Sequence, residues 1–174
     1  LYRFTFATPV ETVVAQPLRE LESVLLFGLR RDMHDFIVQT LPSAHWEHTL
    51  ASLLIGWHER SLRALHAHMY AVVQDRTMDV ACFDRGVLRF VNRFEVENHD
   101  DMMYYLLYVW KQLELDQRND TLTLSAVASV AFDLKEQLQT YLQDIRVEAI
   151  QTLYRADDRT ATVGRLTVTT PTNT

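Results

Sequence analysis

Three things are scarce in this sequence: cysteine, glycine and long apolar runs. Its 174 residues include one cysteine and four glycines. One cysteine cannot form a disulfide within the chain, and no Cys-x-x-Cys motif or Cys/His cluster is present, so the composition is typical of a cytoplasmic, reducing compartment. No signal-peptide pattern occurs, and no apolar run is long enough to span a bilayer. The sequence therefore predicts no membrane span.

Basic residues are also too few for a nucleic-acid-binding protein. The chain has 17 Lys and Arg against 23 Asp and Glu, a net charge of -6. No segment concentrates enough cations to neutralise a run of phosphates, so no nucleic-acid partner is predicted. Hydrophobic residues make up 48% of the sequence. A chain of this length and composition can bury a substantial core, in one domain or in two small subdomains.

Between residues 69 and 94, apolar and polar residues alternate in three consecutive segments, which predicts three strands. Asp75 and Arg76 form the first turn. The second turn contains Gly86, which can adopt a positive φ, so the three strands are expected to form an antiparallel meander.

A long apolar helix is predicted directly after the meander. Asn98 or His99, followed by Asp100 and Asp101, is typical of a capped helix N-terminus, where acidic residues favour the helix dipole. One apolar stripe of the helix consists of Met102, Leu106, Val109 and Leu113, and a second stripe beside it consists of Met103, Leu107 and Trp110. Much of the remaining helix surface is covered by Tyr104, Tyr105 and Tyr108. A strand over residues 121–126 follows, which indicates a crossover back onto the same sheet.

The flanking segments predict further elements. Before the meander they are a weak hairpin of residues 1–7 with 12–15, a strand over 23–29 buried on both faces, a helix capped by Asp32 and closed by Pro42, and a short strand over 44–48. A second helix begins at Thr49, and its inner face comprises Leu50, Leu53, Leu54, Trp57, Leu62 and Leu65. After residue 127 they are a helix marked by Phe132, Leu134, Leu138, Tyr141 and Leu142, a strand over 145–149, a polar stretch over 154–162 and an edge strand over 165–169.

This order predicts an α/β fold with mixed sheets, built from two ribonuclease-H-like units in tandem. Residues 1–66 correspond to the back portion of a first unit, and residues 67–153 to a second unit of order βββαβαβ. Residues 154–174 form a C-terminal extension with one edge strand. Tandem units of this kind are the architecture of actin, sugar kinases and heat-shock chaperone ATPases.

The amino-acid sequences of two segments also resemble those of a known family. DVACFDRGVLRFVNRFEVENHDDMMYYLLYVWKQLELDQ and, upstream, SVLLFGLRRDMHDFIVQTLPSAHWEHTLASLL resemble an uncharacterised Bacteroidetes family of unknown function with an actin-like ATPase fold. The residues that carry the resemblance are Gly86-Val87-Leu88, Asn92, Phe94, Asp101, Tyr104-Tyr105 and Leu113. It spans residues 24–142. The resemblance implies that family members extend further at the N-terminus, and it implies a fold without an established activity.

An active ATPase of this fold needs glycine-containing phosphate loops, and the sequence departs from that pattern. The hairpin turn at residues 74–79 keeps Asp75 and Thr77 but has no glycine, and residues 125–128 replace the Gly-Gly turn of an adenosine loop. Asp75 and Thr77 are therefore the candidate nucleotide-binding residues. No catalytic residue and no cofactor is predicted, because the motifs do not support binding of ATP with Mg²⁺.

Other residues that can carry chemistry have simpler structural interpretations. His45 and His48 are spaced like metal ligands, but no His-Glu-x-x-His motif or further ligand accompanies them, so no metal site is predicted. Cys82 shares a strand face with apolar residues and is interpreted as a small core residue. Ser125 lacks the glycines of a nucleophile elbow.

Three functions remain open from the sequence. The first is a non-catalytic actin-like binding or scaffolding module, a pseudoenzyme; the second is a divergent nucleotide-dependent switch that uses Asp75 and Thr77; the third is a self-assembling subunit, suggested by the apolar helix. Tyr104, Tyr105 and Tyr108 form a candidate interface, in which core packing accounts for two rings and the third is available for a contact. The expected partner is an unknown protein or a second copy of the chain.

Overall fold

The structure is a computed structural model that describes residues 12–43, 45–149, 160–163 and 166–169. The strands are β1 Thr12–Leu18, β2 Ser23–Leu29, β3 His45–His48, β4 His68–Gln74, β5 Thr77–Asp84, β6 Val87–Glu95, β7 Thr121–Ala126, β8 Asp144–Ala149, β9 Thr160–Val163 and β10 Leu166–Thr169. The α-helices are α1 Arg31–Thr40, α2 Thr49–Ser61, α3 His99–Gln112 and α4 Ala128–Leu138.

The chain divides into two compact units. The first unit comprises Leu1–Ile55 and Ala156–Thr174, and the second comprises Gly56–Arg155, so the division falls within α2. The boundaries inferred from the sequence, at residues 66 and 153, remain a prediction.

The second unit is built on a five-stranded mixed sheet. Its strand order is β6-β5-β4-β7-β8, in which β5 runs antiparallel to β4 and β6, and β7 runs parallel to β4 and β8. The β4–β7 connection contains α3, and the β7–β8 connection contains α4. A meander followed by two helical crossovers is the order of a ribonuclease-H-like unit, which confirms the predicted fold class for this part of the chain.

Two tight turns create the meander. Asp75, in the first turn, has a φ of 54°, and Arg85 and Gly86, in the second, have φ values of 47° and 84°. In the second turn both central residues have positive φ, as a type I′ hairpin turn requires, and the twist of such a turn matches the twist of the flanking strands. The predicted role of Gly86 is therefore confirmed.

The core lies on the face of the sheet that α3 and α4 cover. Fully buried residues come from alternate positions of the strands and from one stripe of each helix: Met69, Ala71, Met78, Val80, Cys82, Leu122, Leu124, Leu106, Val109, Ala131, Leu134 and Leu138. The period of two in the strands and of 3.6 in the helices places all of these side chains in one layer.

The N-terminus of α3 is capped as predicted. The Asn98 side chain accepts a hydrogen bond from the Asp101 amide at 2.9 Å, and the Asp101 carboxylate accepts one from the Glu97 amide at 2.9 Å. These reciprocal bonds resemble a capping box and satisfy two otherwise unpaired backbone donors. They explain Asp101 as a structural residue and fix where the tyrosine-bearing helix begins.

The first unit differs from the predictions in its strand pairing. β1 pairs antiparallel with β2, which was not predicted. The predicted pairing of residues 12–15 with residues 1–7 remains a prediction, because residues 1–7 lie outside the described residues. β2 was expected to be buried on both faces, but Val24 is 59% exposed. The predicted strand over 165–169 is present as β10, yet it is the middle strand of the order β3-β10-β9. β9 was not predicted, because it overlaps the polar stretch over residues 154–162, although its threonines and valine favour a strand.

Two helices end earlier than their apolar spacing predicted. α2 ends at Ser61, where the Ser61 hydroxyl donates to the His58 carbonyl at 2.7 Å. Leu62 and Leu65 therefore lie beyond the helix and are 61% and 84% exposed, while the predicted inner residues Leu50, Leu53, Leu54 and Trp57 are buried. α4 ends at Leu138, which leaves Tyr141 outside it.

In α1, Arg30 takes the cap position and Asp32 lies in the first turn, where its carboxylate accepts a hydrogen bond from the Met33 amide. Asp32 is therefore not the cap residue that the sequence predicted. None of the α1 residues is buried.

Candidate functional site

The β4–β5 turn carries the two candidate nucleotide-binding residues. Asp75 is exposed, and the Thr77 hydroxyl donates a hydrogen bond to the Gln74 carbonyl at 3.1 Å. Next to the turn lies a cavity of about 290 Å³ lined by Arg76, Thr77, Glu95, Val96 and Glu97. The fold therefore brings Asp75 and Thr77 together beside an open volume.

The charge around this turn is unfavourable for a phosphate. Arg76 is the cation that lines the cavity, and its guanidinium already contacts the Glu97 carboxylate at 2.6 Å. Glu95 and the nearby Asp75 add two further carboxylates. A phosphate cradle needs converging backbone N–H groups or cations, and this turn offers carboxylates instead.

A second candidate surface is a continuous line of five aromatic rings that runs from β6 onto α3. We call it the aromatic row: Phe90, Phe94, Tyr105, Tyr104 and Tyr108. Neighbouring ring centroids along it are 6.5, 4.4, 5.4 and 6.0 Å apart. Separations in this range are favourable for stacked and edge-to-face pairs, so each ring supports the next.

The outer end of the aromatic row faces solvent. Tyr104 is 63% exposed and Tyr108 is 49% exposed, whereas Tyr105 packs against the core. Core packing thus accounts for one tyrosine, not two as predicted. The reason is helical position: Tyr105 lies three residues after buried Met102 and four before buried Val109, while Tyr104 and Tyr108 are stacked one turn apart on the exposed face.

The inner end of the aromatic row lies on the edge strand of the sheet. β6 is the outermost strand beside β5, and Val87 and Val91 on it are 61% and 41% exposed. Among the described residues no strand lies on its other side, so part of its backbone N–H and C=O groups point away from the sheet. The aromatic row and the open edge therefore form one continuous surface.

Sequence reasoning missed a polar network on the opposite face of the sheet. A ring nitrogen of His68 lies 2.7 Å from the Thr123 hydroxyl, and the His68 ring stacks on Tyr70 at 4.0 Å, which in turn stacks on Trp57 at 4.9 Å. The signal was present as alternation, since His68 and Tyr70 occupy the positions between Ala67, Met69 and Ala71. In the sequence, that alternation indicated only the core face of the strand.

Burial determines the protonation of this network. Burial, reinforced by the Arg146 charge, lowers the pKa of His68 to about 4, and burial raises the pKa of Tyr70 to about 12. Both rings are therefore neutral near pH 7. The Tyr70 hydroxyl is buried without a hydrogen-bond partner among the described residues, so the network is rigidly packed but incompletely satisfied.

Ion pairs surround the neutral rings. Arg60 makes two hydrogen bonds of 2.9 Å to the Glu148 carboxylate. Burial would raise the pKa of Asp144, but hydrogen bonds from Arg146 and Thr121 outweigh it and hold the pKa below its usual range. These pairs link α2, β7 and β8 within the second unit and indicate a structural role.

The remaining candidates are structural as well. Cys82 is fully buried in the core cluster, and burial raises the pKa of its thiol to about 12, which confirms the interpretation of a small core residue. Nowhere in the described part of the chain do three His, Cys, Asp or Glu side chains gather as a metal would require. Among the helices described, none is both long and apolar enough to cross a bilayer.

The fold and the family comparison indicate the same class of protein. The second unit has the strand order of the actin-like ATPase superfamily, and the chain belongs to the family described as protein of unknown function DUF3822, whose model matches residues 1–145. The predicted resemblance to a family of unknown function with an actin-like fold is thereby confirmed.

A solved structure supports the same assignment. The chain is similar to a protein from Bacteroides thetaiotaomicron described as having an actin-like ATPase fold and unknown function, with 29% sequence identity and a TM-score of 0.79. The match covers 83% of this chain and 57% of that protein, so the chain spans less than two thirds of the length of its relative. No functionally curated protein matches the chain.

Proposed function

We propose that the second unit is a non-catalytic binding module that engages a protein partner through the aromatic row. The observation that carries this proposal is the solvent exposure of Tyr104 and Tyr108 at the end of five contiguous rings. Exposed tyrosines bury a large area on association at a small cost in conformational entropy, and they are enriched among the residues that dominate binding energies.

The rigid support beneath these rings favours the same function. Tyr105 is held against Phe94 at 4.4 Å and belongs to the packed periphery of the core. It supports Tyr104, which in turn supports Tyr108. A binding surface preorganised in this way loses little freedom when a partner docks, which leaves more of the contact energy available for affinity.

Site-specific photocrosslinking tests the proposal. We expect benzoylphenylalanine at Tyr104, in the full chain expressed in cells of its source, to yield a discrete crosslinked protein. The same probe at Phe132 should yield at least about tenfold less, because binding energy concentrates in a few central residues of one surface. Phe132 is a matched control, since it is 61% exposed on α4 of the same unit. Equal yields at the two positions would contradict the proposal.

A nucleotide-dependent switch is the second candidate, and the cavity beside Asp75 and Thr77 is the observation that favours it. The absence of glycine from the turn and the carboxylates around it weigh against it. A ligand that binds only the native state raises its melting temperature by mass action.

We therefore expect Mg-ATP, Mg-ADP and Mg-GTP at millimolar concentration to shift the melting temperature by less than about 1 °C, because binding far weaker than millimolar contributes little stabilisation. A larger rise that Asp75→Ala removes and Glu136→Ala preserves would favour the switch instead. Glu136 is a suitable control because it is exposed on α4, away from the turn.

A further inference from the structure

A cavity of about 510 Å³ lies at the end of α3, within the second unit. Its apolar walls are formed by Leu107, Trp110, Leu115, Tyr141 and Leu142. Pockets that bind small molecules are usually of this size, and they are lined mainly by apolar and aromatic side chains with a few polar groups that orient the ligand. The cavity therefore has the dimensions and the walls of a ligand site.

The cavity lies apart from both surfaces described above. Its lining residues after α3 lead into β7 and those after α4 lead into β8, so it lies at the edge of the sheet where these parallel strands begin. The turn with Asp75 and Thr77 follows β4, which runs parallel to β7, so that turn lies at the opposite edge. No member of the aromatic row lines the cavity. A ligand bound here is therefore independent of the proposed function.

Hydrogen bonds hold the backbone around the cavity in place. α3 ends in a Schellman motif, in which the Leu115 amide donates to the Trp110 carbonyl at 3.1 Å. The Gln143 amide donates to the Gln117 carbonyl at 3.0 Å and ties the loop after α3 to the segment before β8. Walls held in this way need little ordering when a ligand binds, which leaves more of the contact energy for affinity.

Two exposed side chains of opposite charge, Lys111 and Glu114, also line the cavity. Neither makes an ion pair or a side-chain hydrogen bond with any of the described residues. Glu114 has a φ of 54° and occupies the left-handed position of the Schellman motif, where its amide donates to the Lys111 carbonyl at 3.1 Å. Glycine is the favoured residue at that position, so helix termination does not account for this glutamate. Both charges are available to a ligand.

We propose that this cavity binds a zwitterionic amino acid with a large apolar side chain, such as leucine or phenylalanine. The apolar side chain lies between the walls, the carboxylate faces Lys111 and the ammonium group faces Glu114. The Gln117 side chain, which also lines the cavity, can hydrogen-bond either group of the ligand because an amide both donates and accepts.

The two charges select this class of ligand. An apolar carboxylic acid has a favourable contact with Lys111 but brings a like charge toward Glu114, and an apolar amine does the reverse. An uncharged apolar molecule pairs with neither charge and partly desolvates both. Among these classes, a zwitterion alone has a favourable contact for each charge, while like-charge contacts disfavour the others.

An NMR titration of the full chain tests binding, with the indole N–H signal of Trp110 as the reporter. This N–H is buried and has no hydrogen-bond partner among the described residues, and its signal is assigned by its loss in Trp110→Phe. We expect leucine and phenylalanine to shift the signal and to bind at least about tenfold more tightly than alanine, which lacks most of the apolar side chain. Trp57 is the internal control, because it stacks on Tyr70 on the opposite face of the sheet.

Ligands that lack one charge test the orientation. The carboxylate of phenylalanine is missing from 2-phenylethylamine and its ammonium group is missing from 3-phenylpropionate, so each should bind at least about threefold more weakly than phenylalanine. Lys111→Gln should weaken phenylalanine by at least about threefold without weakening 2-phenylethylamine, and Glu114→Gln should do so without weakening 3-phenylpropionate. Lys135→Gln and Glu136→Gln are matched controls on α4, outside the cavity lining, and should leave the affinities unchanged.

Two results would overturn the proposal. If about 10 mM leucine or phenylalanine leaves the Trp110 signal in place, or shifts the Trp57 signal equally, the cavity is not a specific site, since weaker binding carries almost no recognition. If 2-phenylethylamine or 3-phenylpropionate binds as tightly as phenylalanine, the assignment to a zwitterion is wrong. Photocrosslinking at Tyr104 bears on neither result, so the failure of one proposal leaves the other standing.

Discussion

Lowering the pH from 7 to 4.5 is expected to reduce the free energy of unfolding by about 2–3 kcal/mol through His68 alone. The pKa of His68 falls from 6.5 to about 4 on folding, chiefly because burial penalises its charged form. Below pH 6.5 the unfolded chain binds a proton that the folded chain does not. The destabilising effect of His68 on folding is therefore absent above pH 6.5, and it grows as the pH falls toward 4.

Chemical denaturation at several pH values measures this effect. His68→Gln should flatten the dependence between pH 6.5 and 4.5, because glutamine does not titrate and can still hydrogen-bond Thr123. His66→Gln is the matched control, since His66 is exposed and two residues away. Asp144, which faces His68, has a lowered pKa and stays ionised across this window. An unchanged slope in His68→Gln would show that another group is responsible.

Leu106→Ala is expected to reduce the free energy of unfolding by about 2–5 kcal/mol at pH 7. Leu106 is fully buried at the centre of α3, in the core cluster that combines the sheet with α3 and α4. Truncation removes two buried methyl groups and the methine carbon that carries them, and leaves a cavity that neighbouring strands cannot easily fill. The loss is a large fraction of the stability of a domain of this size.

Leu65→Ala is the control for Leu106, because the same chemical change occurs where the side chain is 84% exposed. It should alter stability by no more than about 0.5 kcal/mol. Urea denaturation at 25 °C distinguishes the two variants. Similar losses in both would mean that α3 does not pack on the sheet as described, and the support for the aromatic row would disappear with it.

Local sequence patterns were sufficient to predict most of the secondary structure of the second unit. Alternation located β4, β5 and β6, the turn residues located their connections, and the sequence from Asn98 to Asp101 located the start of α3. These signals are local because a strand face, a tight turn and a helix cap each depend on residues within a few positions of one another. The order of these elements was then enough to predict the crossover connections and the fold class.

The candidate site was less accessible from the sequence. The three tyrosines were identified, but the packing of Tyr105 and the exposure of its neighbours depend on where the sheet lies against α3. That Phe90 and Phe94 belong to the aromatic row could not be predicted from the sequence, since they lie ten or more residues from the tyrosines of the row. The surroundings of His68 were hidden for the same reason, because Thr123 contacts it from β7 and Trp57, from α2, stacks on its neighbour Tyr70.

The sequence by itself thus determined the strands and turns of the second unit, the cap of α3 and the positions of the helices, though not where α2 and α4 end, because hydrophobic period and turn chemistry act over short distances. Only the tertiary structure decided which strands pair in the first unit, that β10 lies between β3 and β9, and which face of α3 remains exposed. These features depend on contacts between segments far apart in the chain, and many arrangements of the same local elements satisfy the same pattern.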